Sequence, residues 1–156
     1  MILEFGSWRF EVDLDATQAH TQSNAQDHCE CAYCRNYYQA VSACYPEIVA
    51  FLDVFGVDFN GPSELMPFEP TLILACYRVQ GRVLEWGRED LSTEDVLVAV
   101  EASENGSFLL WIGELAVPWL QEEPMEDVLS PANLPEFMER MQEVWFLRHG
   151  EELFIS

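Results

Sequence analysis

The chain contains no lysine. Its 156 residues carry seven basic side chains, all arginine, against 28 acidic ones, for a formal net charge of −21. A field of that sign repels phosphate backbones, because proteins gain nucleic-acid affinity largely through cations that displace counterions. It disfavours anionic membrane surfaces for the same reason. Neither nucleic acid nor membrane is therefore an expected partner; basic proteins and metal cations are what such a field attracts. Long apolar runs are missing too. The longest, at 72–76 and 108–112, are strand-sized and too short to cross a bilayer. The first residues show neither the basic region nor the apolar core of a targeting signal. Five cysteines, an odd number, do not suit a secreted disulfide framework. A cytoplasmic protein is the expectation.

Catalytic signatures are equally scarce. There is no G-x-S-x-G, no glycine-rich phosphate loop, no dinucleotide fingerprint and no D-x-D-x-D-G calcium loop. The imidazoles are His20, His28 and His149. Neighbouring carboxylates at Glu89-Asp90, Glu94-Asp95, Glu122-Glu123 and Glu126-Asp127 read as solvated surface, since 28 acidic residues make such clusters inevitable. These absences lean against an enzyme.

What is present is the material of one globular domain over 1–156. Apolar residues make up 49% of the chain, with ten Phe, five Tyr and five Trp, enough to enclose one substantial core. Residues 8–13 alternate apolar and polar, the period of a half-buried strand. Residues 15–27 are polar, with no apolar stripe, and read as a solvated loop or a weakly formed helix. Cys34, Tyr37, Val41, Cys44, Ile48, Phe51 and Phe55 then recur at helical spacing. Pro46 kinks that helix or starts a fresh one, and Gly56 ends it. After a proline-containing connection over 58–70, two hairpins are expected. The first joins 72–79 to 82–86 through Gln80-Gly81. The second joins 96–103 to 107–117 through Asn105-Gly106, whose residue types accept the positive φ of a tight turn. Closing it on two residues pairs Val100 with Trp111 and Val98 with Gly113 on one apolar face. Residues 120–132 form an acidic linker after a core spanning 8–119. Asn133 caps a final helix over 133–150, and 152–156 adds a short strand. The expected fold is thus α+β: an antiparallel sheet of about four to six strands, packed against a kinked helix and a C-terminal helix.

The densest chemistry lies in His28-Cys29-Glu30-Cys31-Ala32-Tyr33-Cys34. Zinc takes four thiolate or imidazole ligands in a tetrahedron, and His28, Cys29, Cys31 and Cys34 supply that number. Structural zinc sites normally draw their ligands in pairs from two segments, however, and no second C-x-x-C pair exists. On that ground no cofactor is expected, with zinc the alternative. Cys34 and Cys44 are then expected to be buried, and Cys29 and Cys31 exposed ahead of the helix. A redox role for Cys31-x-x-Cys34 at a helix start fits less well, because no strand precedes the motif.

The run Cys29-Glu30-Cys31-Ala32-Tyr33-Cys34-Arg35-Asn36-Tyr37-Tyr38, with Phe51-Leu52 and Phe55-Gly56-Val57-Asp58, resembles a family of small bacterial proteins. Its members carry a C-x-C-x-Y-C-R-N-aromatic segment, a Trp-containing strand before it and a closing Pro-Trp pair. Trp8 and Pro118-Trp119 are similar here, so the resemblance covers about residues 8 to 119. It implies kinship and no activity. Of the tryptophans, Trp119 beside the acidic Glu122 and Glu123 is the one expected at a surface. The leading expectation is a non-enzymatic interaction domain with a basic protein partner, using Trp119, Glu122 and Glu123. The alternative is a zinc-binding or thiol-dependent protein built on the cysteine segment.

Overall fold

The computed structural model describes residues 1–27, 29, 31–69, 72–93, 96–103 and 105–122. The expected C-terminal helix, the tail strand and most of the acidic linker lie outside these residues. Within them the chain is an α+β domain. Its order is β1 (Ile2–Phe5), β2 (Trp8–Val12), α1 (Leu14–Gln26), α2 (Ala32–Cys44), α3 (Pro46–Val54), β3 (Glu64–Glu69), β4 (Leu72–Glu85), β5 (Leu97–Ala102) and β6 (Ser107–Ala116). The six strands form one antiparallel sheet in the order β1-β2-β4-β6-β5, with β3 pairing β4 off that path.

Strand β4 organises the sheet and corrects the first expected hairpin. It does not turn at Gln80-Gly81 but runs on for 14 residues. Leu72 to Cys76 pair with β3, Leu72 to Gln80 with β6, and Gly81 to Glu85 with β2. Gly81 has φ +151, and a Cβ there would lie 2.0 Å from the Glu11 carbonyl oxygen. Glycine marks a close backbone crossing rather than a turn, a use it shares with bulges. The β1–β2 hairpin, where Phe5 pairs with Trp8 across Gly6 at φ +57, was not anticipated, although Gly6-Ser7 has turn chemistry.

The second hairpin forms, but one residue out of the expected register. Val98 faces Ile112, Ala99 faces Trp111 and Val100 faces Leu110. Asn105 and Gly106 do adopt positive φ, +60 and +71, yet the ladder closes on an odd connection, not a two-residue one. A one-residue slip exchanges the faces. Val96, Val98, Val100, Phe108, Leu110 and Ile112 lie in the main core, while Leu97, Ala99, Leu109 and Trp111 join Met66, Leu74 and Cys76 in a second cluster. Both sets are apolar, so hydrophobicity alone did not distinguish the two registers. Trp111 is fully buried and donates its indole N–H to Glu101 Oε2 at 2.7 Å.

The helices behave largely as their spacing dictates. Pro46 occupies the first turn of a fresh helix, and Gly56 follows it at φ +77. Tyr37, Val41, Ile48 and Phe55 are buried, but Phe51 is only partly so, and Cys44 is exposed. Cys44 is the last residue of α2, directly before the break at Tyr45. Cys76 on β4 is the second buried thiol instead.

Helix α1 is well formed despite lacking an apolar stripe. Asp13 caps it by accepting from the Ala16 N–H at 3.0 Å. Its buried anchors are Thr17 and Thr21. The Gln80 N–H donates to Thr17 Oγ1 and the Asp58 N–H to Thr21 Oγ1, each at 2.9 Å. Asn24 Nδ2 donates to the Gly61 carbonyl. A Cβ on Gly61 would lie 1.8 Å from the Thr21 carbonyl oxygen, so glycine is what lets the 58–62 loop close on this helix. Buried backbone groups must find partners, and here threonine side chains provide them.

Candidate metal centre

Helix α1 ends at Gln26, α2 begins at Ala32, and β3 begins at Glu64; the cysteine segment joins the first two. Cys31 is the N-cap of α2, with extended backbone, and its sulfur accepts from the Cys34 N–H at 3.5 Å. Cys29 Sγ accepts from the Cys31 N–H at 3.4 Å. The two bonds fold the six-residue segment 29–34 back on itself. The sulfurs of Cys29, Cys31 and Cys34 consequently lie within 4.8 Å of one another. Tetrahedral thiolates about 2.3 Å from a zinc ion stand roughly 3.8 Å apart, so a contraction of about an ångström per pair at most brings these three into range. Backbone N–H groups thus point at two of the three sulfurs, those of Cys29 and Cys31.

Cys29 and Cys31 are exposed and Cys34 is buried, as expected ahead of and within a helix. Burial, then the neighbouring Cys31 and Cys29, push the Cys34 thiol well above the ordinary thiol range. That direction opposes a nucleophilic or thioredoxin-like use, which needs a ready thiolate. A bound cation reverses it by supplying the compensating charge.

Cys29 and Cys34 open onto a cleft of about 360 Å³ lined also by Asn24, Asp27, Tyr38 and Glu64. The walls come from the end of α1, the first turns of α2 and the start of β3. Asp27 and Glu64 bring carboxylates to the same cleft. His28, the fourth ligand expected from sequence, lies outside the described residues.

Of the expected interaction residues, Trp119 and Glu122 lie in the segment that follows β6. Asn36, fully buried in α2, donates through Nδ2 to the Pro118 carbonyl at 3.1 Å and accepts from the Leu120 N–H at 2.7 Å. Tyr45 donates to the Ala116 carbonyl, and Gln121 to Gln39. The 116–121 segment is therefore tied along α2, with Trp119 half-buried in it and Glu122 exposed beyond; Glu123 lies outside the described residues. Among the described residues, the exposed indole is Trp86, at 53%. No described helix is long and apolar enough to cross a membrane.

Comparison with protein-family models, with curated proteins and with solved structures finds no match for this chain. The resemblance of the cysteine segment thus acquires no family identity, and what stands is the sulfur cluster itself.

Proposed function

We propose that this chain is a non-enzymatic metal-binding domain that holds a zinc ion through the thiolates of Cys29, Cys31 and Cys34. The observation that carries this reading is the convergence of the three sulfurs within 4.8 Å, from a segment too short for that outcome to have been expected. Two N–H···S bonds at the start of α2 support it, because they orient the sulfurs without help from a second ligand pair. The fourth ligand comes from His28 or from a carboxylate of the adjoining cleft, Asp27 or Glu64. Thiolate-rich sites select zinc and other thiophilic ions over magnesium and calcium, which prefer oxygen.

The test is elemental analysis of protein purified without added metal, followed by thermal melts with and without chelator. About one equivalent of zinc per chain and a chelator-induced fall in Tm are expected, because metal-binding free energy becomes folding free energy. A metal-free protein that takes up no zinc on titration, with a melt indifferent to chelator, would return the chain to the interaction reading with structural cysteines.

A further inference from the structure

A second cleft is built on different residues. It encloses about 390 Å³ between Trp8, the 86–91 loop that leaves β4, and residues 98–100 of β5. Trp8 and Trp86 form two of its walls, with ring centroids 5.6 Å apart and planes inclined at 58°. Trp86 is left largely exposed.

Everything behind those rings is held in place. Trp8 stacks on Phe10, with centroids 5.8 Å apart and planes 6° from parallel. Its indole N–H donates to the Glu89 carbonyl at 2.7 Å. The Ser7 N–H and hydroxyl both donate to the Glu89 carboxylate, and the Arg88 N–H donates to Ser7 Oγ at 2.9 Å. Gly87 lies so close to the Trp8 ring that a Cβ would sit 2.1 Å from Cδ1. Further along, Ser92 Oγ accepts from the Val98 N–H and donates to the Val98 carbonyl, pinning the loop to β5. A corner fixed in this way loses little entropy on receiving a ligand.

We propose that the Trp8–Trp86 corner binds a cationic side chain, an arginine guanidinium or a lysine ammonium, presented by a basic protein or peptide. Indole faces attract cations through their quadrupole, and tryptophan does so best. The rim carries two carboxylates, Glu89 and Asp90, against one cation, Arg88. The hydrogen bonds from Ser7 hold the Glu89 carboxyl below its usual range, so it stays charged. The other arginine nearby, Arg9, is drawn to Glu4 and Glu85 and does not compete for the corner. The net charge of −21 adds long-range attraction for a basic partner. The site is independent of the cysteine cluster.

The experiment titrates the full chain at 0.15 M salt with a short uncharged-flank peptide containing one arginine, and with the same peptide carrying citrulline. Calorimetry reads affinity, and tryptophan fluorescence reads the site. The arginine peptide should bind and perturb fluorescence, and the neutral citrulline peptide should do neither. Trp86→Ala should weaken binding about fivefold or more, the range of a cation–π contact, and Trp86→Phe should restore part of it. Trp86 is exposed, so these variants keep the fold, which circular dichroism checks. Equal affinity in Trp86→Ala would reduce the attraction to diffuse electrostatics and overturn the site. So would equal binding of the citrulline peptide, or of a neutral oligosaccharide in its place, because either would identify a stacking platform without selection for charge. No binding of the arginine peptide overturns it as well.

Discussion

The Tyr37 hydroxyl meets the Tyr77 hydroxyl at the fully buried centre of the domain, joining α2 to β4. Tyr77 in turn donates to the Phe59 carbonyl at 2.7 Å, so Tyr37 is the donor in the first contact. The chain of two bonds satisfies three buried polar groups at once. Tyr77→Phe removes its centre and leaves the Phe59 carbonyl and the Tyr37 hydroxyl without partners. The expected cost is about 1–3 kcal/mol, measured as a shift of the urea midpoint at constant m. A change below about 0.5 kcal/mol would mean that the relay contributes nothing to stability.

The same pair sets an alkaline limit. Burial pushes both phenols far above their ordinary range. The folded protein therefore keeps protons that the unfolded chain gives up near pH 10. With the folded-state pKa raised, stability is intact below the unfolded-chain value and declines as pH rises from there toward the folded-state one. Stability should fall steadily above about pH 10, and the slope should lessen in Tyr77→Phe. A flat profile to pH 11.5 would contradict the burial of these hydroxyls.

Glycine substitutions separate two uses of one residue type. At Gly81 a Cβ meets the Glu11 carbonyl at 2.0 Å, and β2 must move off β4 to admit it. At Gly106, with φ +71, a Cβ meets nothing within 4 Å. Gly106→Ala carries only the backbone penalty of about 1 kcal/mol. Gly81→Ala should cost clearly more, because it combines strain with a broken ladder. Equal ΔΔG values in denaturant melts would show that β2 and β4 do not cross closely at Gly81.

These two glycines also show what could be read from sequence. Gly106 announced a hairpin correctly, since Asn-Gly has few other uses. Gly81 sits in the same kind of dipeptide-length gap, but its role depends on a strand 69 positions earlier, from Val12 to Gly81, and no local pattern encodes that. The β5–β6 register was ambiguous because both faces of those strands are apolar. Helix α1 read only as a loop or a weak helix because Thr17 and Thr21 anchor it through hydrogen bonds to Gln80 and Asp58, not through an apolar stripe. The long-range partner, not the local residue type, was the missing information each time. Pro46, by contrast, acts on its own turn and was legible. So was the clustering of cysteines in one segment; what sequence could not supply was the backfolding by N–H···S bonds that draws the three sulfurs together.

Core packing gives a graded test. Phe55 is fully buried against Phe5, Phe10, Phe51 and Phe108, whereas Phe51 is only partly buried. Phe55→Ala should cost about 3–5 kcal/mol through lost burial and a cavity, and Phe51→Ala distinctly less. The order is the decisive feature: a larger loss at Phe51 would place the helical stripe one step round from where it is described.

Metal uptake should be strongly pH-dependent, with a sign that follows from the thiols. Burial and the neighbouring Cys31 and Cys29 keep the Cys34 proton in place without metal. A zinc ion binds thiolates, so it must expel that proton, together with whatever Cys29 and Cys31 still hold. Affinity should therefore fall as pH is lowered. Calorimetric titrations in two buffers of different ionisation enthalpy should reveal about two to three protons released per zinc near pH 7. Replacing Cys34 with serine should reduce that number by about one and weaken binding by at least tenfold, since one thiolate and its buried position are lost together. Cys44→Ser, an exposed cysteine at the other end of α2, should change neither. Zinc binding without proton release would mean that the ion sits on the carboxylates of the cleft, leaving the three sulfurs as bystanders.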